Sequence, residues 1–199
     1  MNSVRKLIVI AMAALAISAA WAGVAQACSY TGAEQVFSPW GDQHSYVLAP
    51  NGGFEDGGLG WYLGGGAKVV SGNESFNLDG ASDSQSLALP AGSTAISPPI
   101  CMSLDTPIFR LVARNSGDPS SGLRVEATYA LLGLVRTKTV STVYGTSNWA
   151  PSQQMSTVLS LSTIVGTVIP SAIQIRITPL GSGGQWQVDD LYIDPFARH

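Results

Sequence analysis

The chain has 199 residues, with 10 Lys and Arg against 13 Asp and Glu and a formal net charge of −3. The basic residues are few and scattered, which leaves no electrostatic footprint for nucleic acid. Gly and Pro are frequent but spread along the chain, as turns require and as a disordered segment does not.

The first 27 residues read as a cleaved signal peptide. Arg5 and Lys6 give a positive start, residues 7–23 form an uncharged apolar run, and Ala25-Gln26-Ala27 supplies a small-x-small cleavage pattern. A lone membrane anchor is the rival, but the run sits at the short edge of a spanning helix and the cleavage pattern follows it directly. No later apolar run approaches spanning length. The expectation is a secreted, bacterial protein whose mature chain starts at Cys28, with 199 − 27 = 172 residues and a net charge of (10 − 2) − 13 = −5.

Cys28 and Cys101 are the only cysteines. Export to an oxidising compartment lets them bridge, and closing so long a loop stabilises a fold by roughly 4 kcal/mol in the chain-entropy account. The rival is lipidation of Cys28. Bacterial lipoprotein signals usually carry Leu three residues before the cysteine and a small residue two before it; here those positions are Ala25 and Gln26. Residues 28–48 are weakly patterned and read as an N-terminal arm pinned by the disulfide.

From residue 49 the apolar period is two. In 123–129, Leu, Val, Ala and Tyr fall on one face and Arg, Glu and Thr on the other; 173–178 alternates still more cleanly. Residues 67–71, 85–89, 109–114, 135–143 and 185–193 read as further strands, separated by clusters of Gly, Pro, Asn and Ser. Many short strands with one polar face predict a single all-β domain over 49–199, a two-sheet antiparallel sandwich or a barrel.

Catalytic chemistry has little to draw on. His44 and His199 are the only histidines, so a histidine cluster for zinc has no material and a Ser-His-Asp arrangement has one conceivable form, with His44 in the weakly patterned arm. Paired carboxylates suffice for a glycosidase, and Glu55, Asp56, Glu126, Asp189 and Asp190 are the candidates. Glu126, however, lies on a polar strand face where a cross-strand ion pair with Arg110 or Arg176 explains it. The reading is non-catalytic.

Two segments near opposite ends of the domain carry a pattern: Asn51-Gly52-Gly53-Phe54-Glu55-Asp56-Gly57 with Trp61 after it, and Trp186-Gln187-Val188-Asp189-Asp190-Leu191-Tyr192-Ile193. Their pairing resembles the galactose-binding-like jelly rolls, in particular carbohydrate-binding modules of the family 4, 9 and 22 type. The layout between them is similar too, with Ser86-Leu87-Ala88-Leu89 and then Trp149 before the penultimate strands. The ending, Asp194-Pro195-Phe196-Ala197-Arg198, also resembles small secreted proteins of actinobacteria.

That resemblance implies a jelly-roll β-sandwich and a structural calcium. It places Glu55 and Asp189 or Asp190 together as metal ligands, with backbone carbonyls of the 51–53 turn, Gly52 among them. Calcium takes six to eight oxygens, which carboxylates and turn carbonyls supply. Strand parity does not choose between the two aspartates, and a bulge beside them would reconcile the alternation; Asp56 and Glu74 are further candidates. For a ligand, Arg110, Arg124, Glu126 and Arg176 form a polar band if they share one sheet face, with Tyr62, Tyr144 and Trp149 as loop aromatics. A plain solvated face is the alternative. Trp61 and Trp186 read as core. The function expected is a secreted, non-catalytic binding module with carbohydrate as its ligand class; the alternative is a structural or adhesive surface protein that meets another protein.

Overall fold

The computed structural model describes residues 30–101, 108–131, 134–156 and 172–194. The signal peptide, Cys28 and the chain's last five residues lie outside these.

Thirteen strands form two antiparallel sheets among the described residues. One has the order β10–β7–β13–β4–β3, that is Ala150–Pro151, Ile108–Asn115, Gln185–Asp194, Gln85–Pro90 and Lys68–Ser71, with β1 (Val47–Leu48) on β13 and β11 (Met155–Ser156) on β7. The other has the order β2–β5–β12–β8–β9, that is Tyr62–Gly64, Thr94–Ile96, Ala172–Pro179, Leu123–Leu131 and Leu134–Val143, with β6 (Ile100–Cys101) on β12. This is the all-β antiparallel sandwich that the period-two pattern predicts.

Alternation decides what each sheet puts inside. Ile173, Ile175 and Ile177 of β12, Val125 and Ala127 of β8 and Ala95 of β5 meet Leu87, Leu89, Leu111, Val188 and Ile193 from the facing sheet, all buried. Each such aliphatic side chain contributes roughly 1.5–3 kcal/mol on leaving water. Trp186 closes one region of this core with its indole N–H donated to Ser121 Oγ at 3.1 Å. Trp61 packs on Phe54 with ring centroids 5.0 Å apart and donates to Asn51 O at 2.9 Å. Both tryptophans are core, as the sequence indicates.

The arm is a third layer. Its residues 34–46 fold over the outer face of the seven-stranded sheet through a bridge between Glu34 and Tyr46 and a 3-10 turn at Ser38–Trp40, and the arm then joins that sheet through the pairing of β1 with β13. Phe37 and Tyr46 build a second cluster there with Ile108, Val112 and Tyr192. Phe37 meets Tyr46 and Tyr192 edge-on at 5.0 and 5.7 Å, the geometry that ring quadrupoles favour.

This layer corrects the expectation for Arg110. It shares strand parity with Ile108 and Val112 on β7, so it points away from the core and straight under the arm. Its guanidinium lies 4.4 Å over the Phe37 ring, donates to Asp42 Oδ2 at 2.7 Å and to Ser152 O at 2.9 Å, and is buried. Arg110 shares no face with Arg124 and Arg176, which belong to the other sheet.

Candidate functional site

Two constellations emerge, one at the turn of β13 and one on the outer face of the six-stranded sheet.

At the first, β13 shifts register between Asp189 and Tyr192, the bulge that the paired aspartates call for. Asp190 sits in it with φ +48°, a left-handed conformation that Asp and Asn tolerate better than most residues. The bulge turns its carboxylate into a pocket walled by the loop between β3 and β4. There Glu74, Asp83 and Asp190 bring carboxylate oxygens within 4.8 Å of one another, and all three are buried. Among the described residues, neither Asp190 oxygen has a hydrogen-bond partner, and Asp83 Oδ1 has none.

The surroundings fix this geometry. Asp189 accepts from Glu74 N at 2.9 Å and from Asp190 N at 3.0 Å. It thereby ties the loop to the bulge. Glu74 accepts from Leu78 N at 2.6 Å and from Phe76 N. Gly53 leaves room for the acids: a Cβ there would lie 2.8 Å from Asp79 Oδ2 and 3.4 Å from Asp190 Oδ1 and would push the Asp79 carboxylate aside. The electrostatics match the crowding. Burial raises the pKa of Asp190, and the charges of Asp189, Asp83, Glu74 and Asp79 raise it further. Burial likewise raises Asp189 and lifts Asp83 to about 6, with Glu74, Glu55 and Asp79 adding to the effect.

The predicted metal residues divide around this pocket. Asp190 is in it and Asp189 braces it. Gly52 packs against the bulge, its carbonyl accepting from Leu191 N at 3.2 Å. Glu55 lies outside the triad. Its carboxylate accepts from Ser84 N, Gln85 N and Ser84 Oγ at 2.9, 2.7 and 2.8 Å. Burial pushes its pKa up, but these bonds outweigh that and leave it lowered. Asp83 and Asp79 were missed in the sequence reading. Their signal is the density of acids in residues 72–84, where no basic residue occurs.

The second constellation follows from register. Across the six-stranded sheet, Tyr62 pairs with Ile96, Ile96 with Arg176, Arg176 with Glu126, and Glu126 with Thr139. The next row on the same face runs Gly64, Thr94, Thr178, Arg124 and Thr142. Thr94 and Thr178 hydroxyls are 3.2 Å apart, and Arg124 stands between Thr178 and Thr142. Two residues further along lie Gly122 and Tyr144.

The two tyrosines bracket this face. Tyr62 is 61% exposed and Tyr144 68%. Each reclines over a glycine. A Cβ on Gly64 would meet the Tyr62 ring at 3.0 Å, and one on Gly122 would meet the Tyr144 ring at 3.3 Å. At about 4.8 Å per strand and 3.4 Å per residue, they stand roughly 20–25 Å apart, with Arg124, Glu126 and Arg176 between them. Trp149 belongs elsewhere. It lies by β10 in the seven-stranded sheet with the Arg114 guanidinium 4.7 Å over its ring.

No family model and no curated protein matches the chain. Solved structures do. The CBM22-1–GH10 modules of Clostridium thermocellum endo-1,4-β-D-xylanase 10B, complexed with xylohexaose, align at TM-score 0.53 and 12% identity over 76% of this chain and 28% of that longer one. The CBM22-1–CBM22-2 tandem domain of Paenibacillus barcinonensis Xyn10C aligns at 0.52 and 13%, over 84% of this chain and 46% of that one. A family 16 carbohydrate-binding module aligns at 0.50 and 13%, over 74% and 99%. At these identities the likeness is one of fold, and the fold of this chain is the β-sandwich of carbohydrate-binding modules.

Proposed function

We propose that the chain is a secreted, non-catalytic carbohydrate-binding module that engages its sugar on the outer face of the six-stranded sheet. The observation that carries this reading is the pair of exposed tyrosines, each laid down over a glycine, with two arginines and a glutamate between them. Flat aromatic rings offer stacking surface to the apolar faces of pyranose rings, and the charged groups offer hydrogen bonds to hydroxyls. His44, whose Nδ1 lies 2.9 Å from Asp194 Oδ2, ties the arm to β13. The test is affinity electrophoresis against a panel of plant and microbial polysaccharides. Tyr62→Ala and Tyr144→Ala each weaken retention at least tenfold with the melting temperature unchanged; full retention in both variants rules this face out.

The same reading includes a structural calcium held by Glu74, Asp83 and Asp190. An all-oxygen donor set suits a hard cation. The fit rests on the orphaned oxygens of Asp190 and Asp83, since a buried carboxylate without any partner is costly unless a cation supplies one. Export and a Cys28–Cys101 disulfide complete it. Tyr30 Oη donates to the carbonyl of Cys101, so the arm begins beside the second cysteine.

A further inference from the structure

The six-stranded sheet is basic in an acidic protein. Its strands carry Arg124, Arg136, Lys138 and Arg176 against a single acid, Glu126. The acids gather on the far side, as Asp189, Asp190 and Asp194 of β13 and as Glu74, Asp79 and Asp83 of the loop that covers it. Arg136 and Lys138 alternate onto the opposite side of the edge strand β9, opposite Tyr129 and Ala127. The face between the tyrosines therefore holds two guanidinium groups and one carboxylate.

That carboxylate does not satisfy them. Glu126 Oε2 lies 3.5 Å from Arg124 Nε, close enough for an ion pair but too long for a good hydrogen bond. The Nε atoms of both Arg124 and Arg176 are buried without a hydrogen-bond partner among the described residues. Each guanidinium is always charged and carries five donors in a planar fork. A neutral sugar settling here would take water from an excess positive charge and return only hydroxyl oxygens. A carboxylate matches the fork in shape, accepts two bonds at once and cancels the excess charge.

We propose that this face is selective for an acidic polysaccharide, one whose sugar residues bear a carboxylate that seats against Arg176 and Arg124; the proposal rests on the sugar-binding reading of the same face. Glu126 then acts as a positioning residue that holds Arg124 in place. Tyr62 and Tyr144 stack the neighbouring rings of the chain.

The test uses the full mature chain in isothermal titration at fixed salt. The probes are polygalacturonate, alginate and a glucuronoxylan, each paired with its carboxyl-reduced counterpart. At least one acidic polymer binds, and its reduced counterpart binds at least tenfold more weakly. Arg176→Gln weakens the acidic polymer at least tenfold and the reduced one by a smaller factor, so that the preference between the two is lost. Arg176→Lys, which keeps the charge and loses the fork, falls between. Arg136→Gln, which removes the same charge off the face, stays within twofold of the parent. Equal affinity for acidic and reduced polymers, or an equal loss in Arg136→Gln and Arg176→Gln, overturns the acidic selectivity and leaves sugar binding intact. Absence of binding to every polymer in both sets overturns the sugar-binding reading itself, and the selectivity with it.

Discussion

Asp190→Asn separates a cation site from a merely crowded one, because the two accounts give opposite signs under two conditions. The substitution keeps the shape of the side chain and suits the backbone, since Asn accepts φ +48° as readily as Asp does. In chelator, the parent protein must leave the Asp190 carboxylate buried without a partner, beside the acids Glu74 and Asp83. Asn removes a carboxyl that must either stay charged among these acids or take up a proton on folding, so the variant is more stable by on the order of 1 kcal/mol. With calcium at a hundredfold excess over its dissociation constant, the parent gains about 2.7 kcal/mol by mass action. For a chain of this size that is about 5–11 °C in midpoint. The variant loses a ligand and most of that gain, so the order of stabilities reverses. Differential scanning fluorimetry of both proteins in EDTA and in calcium reads the crossing directly. A parent midpoint indifferent to calcium, with Asp190→Asn destabilising equally in both buffers, would refute the reasoning.

Other consequences are as direct. Gly64→Ala brings a Cβ to 3.0 Å from the Tyr62 ring; that ring is exposed and free to swing out, so the midpoint moves by less than 2 °C while polysaccharide affinity falls, and an unchanged affinity by titration counts against the Tyr62 platform. Burial pushes the pKa of Asp42 up, yet hydrogen bonds from Gln154, Tyr46, His44 and Arg110 overcome this and hold it at about 2. A depressed carboxylate contributes stability above its unfolded pKa and loses it as the pH falls, so about 2 kcal/mol disappears between pH 4 and pH 2; Asp42→Asn flattens that limb of a urea-denaturation series across pH. Arg110→Met leaves Asp42 buried without its cation and costs about 3–5 kcal/mol, whereas adding Asp42→Asn to it recovers much of the loss in the same denaturation assay. Intact-mass analysis of the exported protein finds two hydrogens missing from the reduced mass, as a Cys28–Cys101 bridge requires, and a lipid adduct on Cys28 contradicts it.

The sheets were legible because period-two alternation is a local signal. In Ile173 to Thr178 every second residue is apolar, and the strand has nowhere to put those residues except between two sheets. The arm was opaque for the opposite reason. Phe37 and Tyr46 show no period and lie far in sequence from Tyr192, and only the tertiary fold tells which face they cover. Arg110 was misplaced by the same logic. Alternation says that it points out of the sandwich, but not that another segment lies over it. A buried Arg needs a partner, and the partner, Asp42, sits in the stretch with the weakest pattern.

The two constellations differ in legibility for a related reason. A polar sheet face is written residue by residue along strands, so Arg124, Glu126 and Arg176 were found together once β8 and β12 paired. The carboxylate cluster is instead built where a strand breaks its alternation. Asp189 and Asp190 marked the break, yet the chain supplies the remaining carboxylates from a loop more than a hundred residues earlier, through Glu74 and Asp83. The resembled motif pointed to Glu55 because it stands in the matching turn. In this chain Ser84 and Gln85 claim that carboxylate with three hydrogen bonds, so Glu55 secures the end of the acidic loop, and the loop carries the carboxylates of the proposed calcium site. An acid that braces a loop in place of facing the carboxylate cluster leaves the fold unchanged and moves the proposed site to its neighbours. Such a shift is invisible to a motif read one residue at a time, and it becomes visible once every buried carboxylate is asked which donor satisfies it.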